Sequence, residues 1–404
     1  MSLKHLVRQT IALNVLRVGG AIISLLVNVL LARTFESDLI GQYFIALGTL
    51  VFLAQIATFG CTKSLIKSIP SSKGEEERKQ HLSVAVAITF IGGVASYFIY
   101  RSFFETLANV HVSVIEILIL SAYFLSLSVC QARFQAIFAL SVQFIVQPSV
   151  FVVLVMADKG TMIDCYLAST AACLSIVVGF LIFRGELKFT QITTKIFGNI
   201  VVGLAPYFLM FSVGLAVTHL MLPLCSLWLT EAEIALLGII VRLVNVMFFA
   251  VTSMRILLLP RLSKAYVAQK EETIRKECML GAVIPASIIL LVAILIGPIG
   301  LNILALFGHE YSFHHELLFY AILLLIPAAC FGWAESLLLA TNRARQASYA
   351  SVLSAVLVFS IVPVVAKYGM LAAITLLVGV KSLYAVATIL IVWFGRRGYM
   401  GMGN

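Results

Sequence analysis

Five ionisable side chains stand inside long apolar runs: Arg17, Arg242, Arg255, Glu335 and Lys381. A charge near the centre of a bilayer is costly unless it faces water or a partner, so such residues mark a path or an ion pair. Four of the five are cations. A guanidinium stays charged in any surroundings and grips phosphate oxygens in a bidentate fork. The set therefore suits an anionic cargo group, above all a pyrophosphate, and suits a cationic cargo poorly. Glu335 has two readings, a carboxylate that neutralises a neighbouring cation at rest, or a group that exchanges a proton or sodium ion.

The neighbours of these charges share their helical faces. Asn14, Arg17, Ala21, Ser24 and Asn28 recur at steps of three and four, as do Gly238, Arg242, Asn245, Phe249 and Thr252, with Arg255 continuing the second stripe. Small polar residues on a membrane helix often serve close packing, but the arginines point to cleft lining. Arg242 and Lys381 lie about ten and eleven residues into their runs, too deep for easy escape to the headgroups, whereas Arg17 and Arg255 are close enough to an end to snorkel. The other reactive side chains show no such organisation. Seven cysteines lie singly without CxxC or Cys/His spacing, so neither a metal site nor a disulfide framework is indicated. His309 and the pair His314-His315 read as a solvated loop. No catalytic set and no GxxxxGK[ST] motif is present, which argues against an enzyme and against direct use of ATP.

The elements that carry these residues follow from composition. Of 404 residues 61% are apolar and only 11% charged, and the mean hydropathy is +1.07. A soluble domain is nearer about a quarter charged, so an ordinary globular enzyme, a disordered chain and a disulfide scaffold are excluded. Crossing a bilayer takes about 20 apolar residues. Twelve runs qualify, at roughly 11–33, 39–60, 82–101, 114–132, 143–157, 161–183, 200–225, 233–258, 279–299, 317–341, 348–366 and 370–394. With the N-terminus inside, the cytoplasmic segments hold 20 lysines and arginines, and the outer segments only Arg33, Arg101, Lys159 and Lys367. That asymmetry sets both termini on the cytoplasmic side. The net charge of +10 is thus mostly an orientation signal, and a nucleic-acid partner is not indicated.

The pattern of the first six runs returns in the second six. The basic exit Lys63 to Lys79 is echoed by Pro260 to Lys276, and Ala132-Arg133-Phe134-Gln135-Ala136 by Arg343-Ala344-Arg345-Gln346-Ala347. An even number of spans per repeat relates the copies by an axis along the membrane normal. The expected fold is an all-α polytopic membrane protein of twelve helices in two six-helix bundles, residues 1–190 and 191–404. Two like bundles that rock about a central site form a secondary transporter.

At this point the residues resemble a family. Leu31-Ala32-Arg33, Gly41-Gln42-Tyr43, Phe59-Gly60 before a basic loop ending at Pro70, Leu259-Pro260-Arg261-Leu262-Ser263 and Leu306-Phe307-Gly308-His309-Glu310-Tyr311 are similar to the Wzx-type O-antigen and polysaccharide flippases of the multidrug/oligosaccharidyl-lipid/polysaccharide (MOP) exporter superfamily. Ala235 and Leu237 depart from the glycine and aromatic common in that family. The resemblance implies a MATE-like fold and a bacterial inner-membrane location. It also implies transfer of an undecaprenyl-pyrophosphate-linked oligosaccharide to the periplasmic leaflet, with a polysaccharide polymerase and a chain-length regulator as partners. Two rivals stay open. A cation-coupled drug or metabolite antiporter would want a buried acid in the first six runs, and a membrane polymerase or ligase would want catalysts on a large outer loop; neither is seen.

Overall fold

The computed structural model describes residues 3–72, 74–104, 111–133, 135–157, 160–299, 302–341, 343–365 and 368–396, and every long regular element among them is a helix. In chain order these are α1 (Leu3–Thr34), α2 (Ser37–Ala57), α3 (Cys61–Ser71), α4 (Glu75–Ile99), α5 (Val114–Ala132), α6 (Ala136–Ser141), α7 (Gln147–Met156), α8 (Met162–Phe183), α9 (Thr194–Leu215), α10 (Met221–Cys225), α11 (Glu231–Val267), α12 (Glu271–Ile296), α13 (His309–Ser312), α14 (His315–Phe331), α15 (Trp333–Ala340), α16 (Ala344–Val365) and α17 (Gly369–Arg396). Among the described residues ten helical stretches are long and apolar enough to cross a membrane, and the first and seventh expected runs hold shorter apolar pieces, Gly19–Thr34, Thr194–Ala205 and Ala216–Cys225. A bilayer leaves no water to satisfy the backbone, so an apolar run of this length has little choice but helix.

Two runs differ from expectation at prolines. The fifth starts at Ala136 rather than 143 and contains a π-helical turn, Val142–Val146, just before Pro148. A second π turn, Ala216–Leu220, precedes Pro223. Proline has no N–H for the carbonyl four residues back, and a wider turn lets the helix continue past it. Helix starts are fixed by side chains. Ser113 with Glu116, Thr161 with Asp164 and Thr230 with Glu233 each form a reciprocal capping box at the head of α5, α8 and α11.

The chain forms two compact units, 1–31 with 42–227 and 32–41 with 228–404. The stretch from 191 to 227, α9 included, clusters with the first unit, where Phe208 stacks on Phe59 with centroids 4.1 Å apart. The first unit is built around Leu53, Ile117, Leu120, Tyr123, Cys173 and Val177. Lipid tails are as apolar as leucine, so close packing and satisfied polar groups hold such a unit together. The Tyr123 hydroxyl donates to Gln147 Oε1 at 3.3 Å, and Gln147 Nε2 donates to Thr170 Oγ1 at 2.9 Å. Ser121 donates to the Ala54 carbonyl at 3.0 Å, tying α5 to α2.

In the second unit α14 packs along α17 and α12, and α11 packs along α12 and α15. The short segment 32–41 belongs here for two reasons. Arg33 Nε donates to the Leu306 carbonyl at 2.7 Å. Gly41 lies so close to the backbone of Glu231 that a Cβ would sit 2.0 Å from its carbonyl oxygen. Phe307 and Tyr311 are buried beside Leu304. Two of the motifs that carry the family resemblance thus meet in one place.

Candidate functional site

The site residues of the second unit come from α11, the broken pair α14–α15, and α17. The break begins at Pro327, whose missing N–H weakens the ladder of α14. Ser382 on α17 then inserts its hydroxyl into that ladder: it accepts from the Ala328 N–H at 3.3 Å and donates to the Leu324 carbonyl. Those two backbone groups would otherwise bond to each other, and a side chain inserted between them is a recognised cause of helix bending. The helix stops at Phe331 and restarts at Trp333. At the joint Gly332 packs on α11, where a Cβ would come within 2.6 Å of the Val251 side chain.

This joint receives Arg255. Its Nε donates to the Gly332 carbonyl at 3.0 Å, and its Nη1 lies 2.6 Å from Oε2 of Glu335. The pair is mostly enclosed, with side-chain exposures of 18% and 27%. Ser336 donates to the backbone carbonyl of Arg255 at 3.2 Å, which fixes α15 on α11. The Tyr384 ring lies 6.0 Å from the Arg255 guanidinium carbon.

Lys381 approaches from the next turn of α17. Its ammonium donates to Asn245 Oδ1 and sits 4.6 Å from the centroid of the Phe248 ring. The Arg255 guanidinium carbon is 5.6 Å from the same centroid. Both cations therefore use one aromatic ring, each contact contributing about 0.5–2 kcal/mol. Among the described residues the ion pairs give Arg255 a carboxylate, and none of them involves Lys381. The cluster of Arg255, Lys381 and Glu335 keeps one net positive charge, held by a neutral amide and a π face.

The residues singled out in the sequence divide into three groups. Arg255, Lys381, Asn245 and Glu335 come together. Arg255 turns onto Glu335 rather than running along α11 toward its end, and α11 continues to Val267, well past the expected end near 258. Arg242 stands thirteen residues before Arg255, about 20 Å along the axis, and its Nη1 donates to the Gly238 carbonyl at 3.3 Å. Thr252 bonds back to the Phe248 and Phe249 carbonyls. In the first unit Asn28 is buried and donates to the Ser24 carbonyl at 2.5 Å, while Ser24 is exposed. The side chains of Asn14 and Arg17 lie outside the described residues. Sequence reasoning missed Phe248, Tyr384 and Ser382. Phe248 follows Asn245 by three and Tyr384 follows Lys381 by three, so a search for aromatics one turn from each buried polar group finds both.

No family model and no curated protein matches the chain. Solved structures do. An inward-facing multidrug resistance MATE family transporter of the MOP superfamily aligns with a TM-score of 0.74 at 12% identity, covering 95% of each chain. The lipid II flippase MurJ in an inward closed conformation aligns at 0.77 and 15% identity, over 95% of this chain and 87% of that one. A MOP superfamily transporter from Pyrococcus furiosus aligns at 0.62 and 12% identity, over 98% and 96%. The chain has the twelve-helix fold of MOP superfamily transporters.

Proposed function

We propose that this protein moves a lipid-linked oligosaccharide, joined to its polyprenyl carrier through a pyrophosphate, from the cytoplasmic to the periplasmic leaflet of a bacterial inner membrane by alternating access. The observation that carries the reading is the pair of cations on Phe248. Lys381 brings a charge with a neutral partner, and Arg255 brings a guanidinium held by a carboxylate that can release it. An incoming pyrophosphate supplies the missing anion and competes with Glu335 for Arg255, so the cargo binds where its charge is wanted. Arg17 and Arg242, with Asn14, Ser24, Asn28 and Thr252, are proposed as further cargo contacts. O-antigen or a related polysaccharide repeat unit is the proposed cargo, with a polymerase and a chain-length regulator acting next and both termini in the cytoplasm.

Deletion of the gene should trap completed lipid-linked sugar units on the cytoplasmic face, scored by their resistance to a periplasmic glycosidase. If the units still reach the periplasm and only chain length changes, the proposal fails. One observation favours a second reading, a cation-coupled drug or metabolite antiporter: Glu335 is a carboxylate within a membrane helix. Resistance to cationic dyes that appears on expression and vanishes in Glu335→Gln would select it.

A further inference from the structure

The first unit holds two adjoining hollows, neither of which the transport reading uses. One, of about 280 Å³, lies where α4 begins and where α5 and α8 end. Its walls carry five cations, Arg78, Lys79, Arg133, Arg184 and Lys188, against the carboxylates Glu75 and Glu186. The carboxylates are already engaged: Glu75 with Lys188 at 2.7 Å, and Glu186 with Arg133 at 3.0 Å. Arg78 Nε is buried and meets no acceptor among the described residues, a costly state for a charged donor unless something else accepts from it.

The second hollow, of about 300 Å³, is an apolar groove along α4, α5 and α8, with Val86, Phe90, Leu118, Leu125, Leu174 and Val178 in its walls. Val86 and Phe90 are 42% and 61% exposed, so the groove opens on the outside of the unit. The hollows share Leu82 and Val129 as wall residues. The extended segment after α8 serves both by alternation, Glu186 and Lys188 lining the charged hollow, Leu187 and Phe189 the apolar one. A free phosphate accounts for the first hollow alone and an uncharged hydrocarbon for the second alone. A molecule with an anionic phosphate joined to a long hydrocarbon fills both.

We infer that the first unit binds an anionic phospholipid, its phosphate among Arg78, Arg133 and Arg184 and one chain in the apolar groove. The site is independent of the cargo reading, since it uses none of the residues assigned to transport. The lysines and arginines of this end are those expected on the cytoplasmic side, so the lipid belongs to the inner leaflet.

The test is a titration of the purified, lipid-stripped full chain by native mass spectrometry with four probes: phosphatidylglycerol, phosphatidylcholine, inorganic phosphate and pyrophosphate. Phosphatidylglycerol should bind tightest. Arg78→Gln with Arg184→Gln should weaken it by about tenfold or more, the loss expected for charge-assisted contacts. Val178→Trp, which fills the groove, should weaken phosphatidylglycerol and leave pyrophosphate unchanged. Arg184 is exposed, so Arg184→Gln alone tests the charge requirement if the double variant does not fold. The inference is overturned if phosphatidylcholine binds as well as phosphatidylglycerol, or if neither the charge nor the groove variants alter phosphatidylglycerol binding. It is equally overturned if pyrophosphate matches phosphatidylglycerol and Val178→Trp changes nothing, because the site would then hold a free phosphate.

Discussion

Nη1 of Arg255 on α11 and Oε2 of Glu335 on α15 lie 2.6 Å apart, just past the joint between α14 and α15. The pair does two things at once. It cancels a charge that the surroundings could not otherwise bear, and it pins α15 to α11 together with the Gly332 and Ser336 bonds to the same arginine. Lys381, on the other side of Phe248, has no comparable neutraliser. The two cations are therefore inequivalent: one is held by a carboxylate, the other waits beside an amide.

That inequivalence separates structural from functional roles of Glu335. Removing one partner of an enclosed ion pair leaves the other uncompensated, at a cost of about 3–5 kcal/mol when burial is complete and less here because the groups are partly exposed. Glu335→Gln should lower both thermal stability and export. The double variant Arg255→Gln/Glu335→Gln should recover most of the stability, since neither charge remains, and stay defective in export. Thermal unfolding in detergent measures the first effect and the accumulation of lipid-linked sugar the second. Full export by the double variant would make the pair a structural clamp only.

Lys381→Ala removes the cation that lacks a carboxylate, so it should abolish export at normal membrane abundance. Asn245→Ala leaves the charge but frees its direction, and a partial loss is expected. Arg242→Ala should also abolish export, with Arg242→Lys rescuing only in part, because an ammonium cannot form the two-pronged contact of a guanidinium. Immunoblotting fixes abundance and labelled lipid-linked sugar reports export. Normal export by the alanine variants would remove these residues from the cargo path.

Ten of the twelve expected spans, and the charges within them, were legible because lipid imposes a simple rule, that long apolar runs become helices and charges within them need a reason. Partnerships were harder. Arg255 looked able to snorkel from its place near an apolar end, yet α11 runs on to Val267 and the side chain turns to Glu335. Phe248 and Tyr384 carry only the weak signal of an aromatic one turn from a buried polar group, and Ser382 carries none, since hydroxyls are ordinary in an apolar run. Their roles depend on which helix lies opposite. The basic segment from Arg184 to Lys195 gives no sign that α9 returns to the first unit, where Phe208 stacks on Phe59. The three capping boxes, by contrast, are written as Ser113-x-x-Glu116, Thr161-x-x-Asp164 and Thr230-x-x-Glu233, and mark helix starts to the residue.

Phe248 should be more sensitive than its neighbours to the loss of its ring. Phe248→Leu preserves bulk and apolarity but removes the face against which Lys381 and Arg255 rest, at about 0.5–2 kcal/mol for each contact. Phe248→Tyr and Phe248→Trp keep a π face and should retain activity as far as their size is accommodated. Phe249, next in the chain, has neither cation over its ring among the described contacts, so Phe249→Leu serves as the control. The expected order of export is wild type, then Phe249→Leu, then Phe248→Tyr, with Phe248→Leu lowest. Equal export by the two leucine variants would mean that the cations need only an apolar wall, and that their position is set by Asn245 and Glu335 alone.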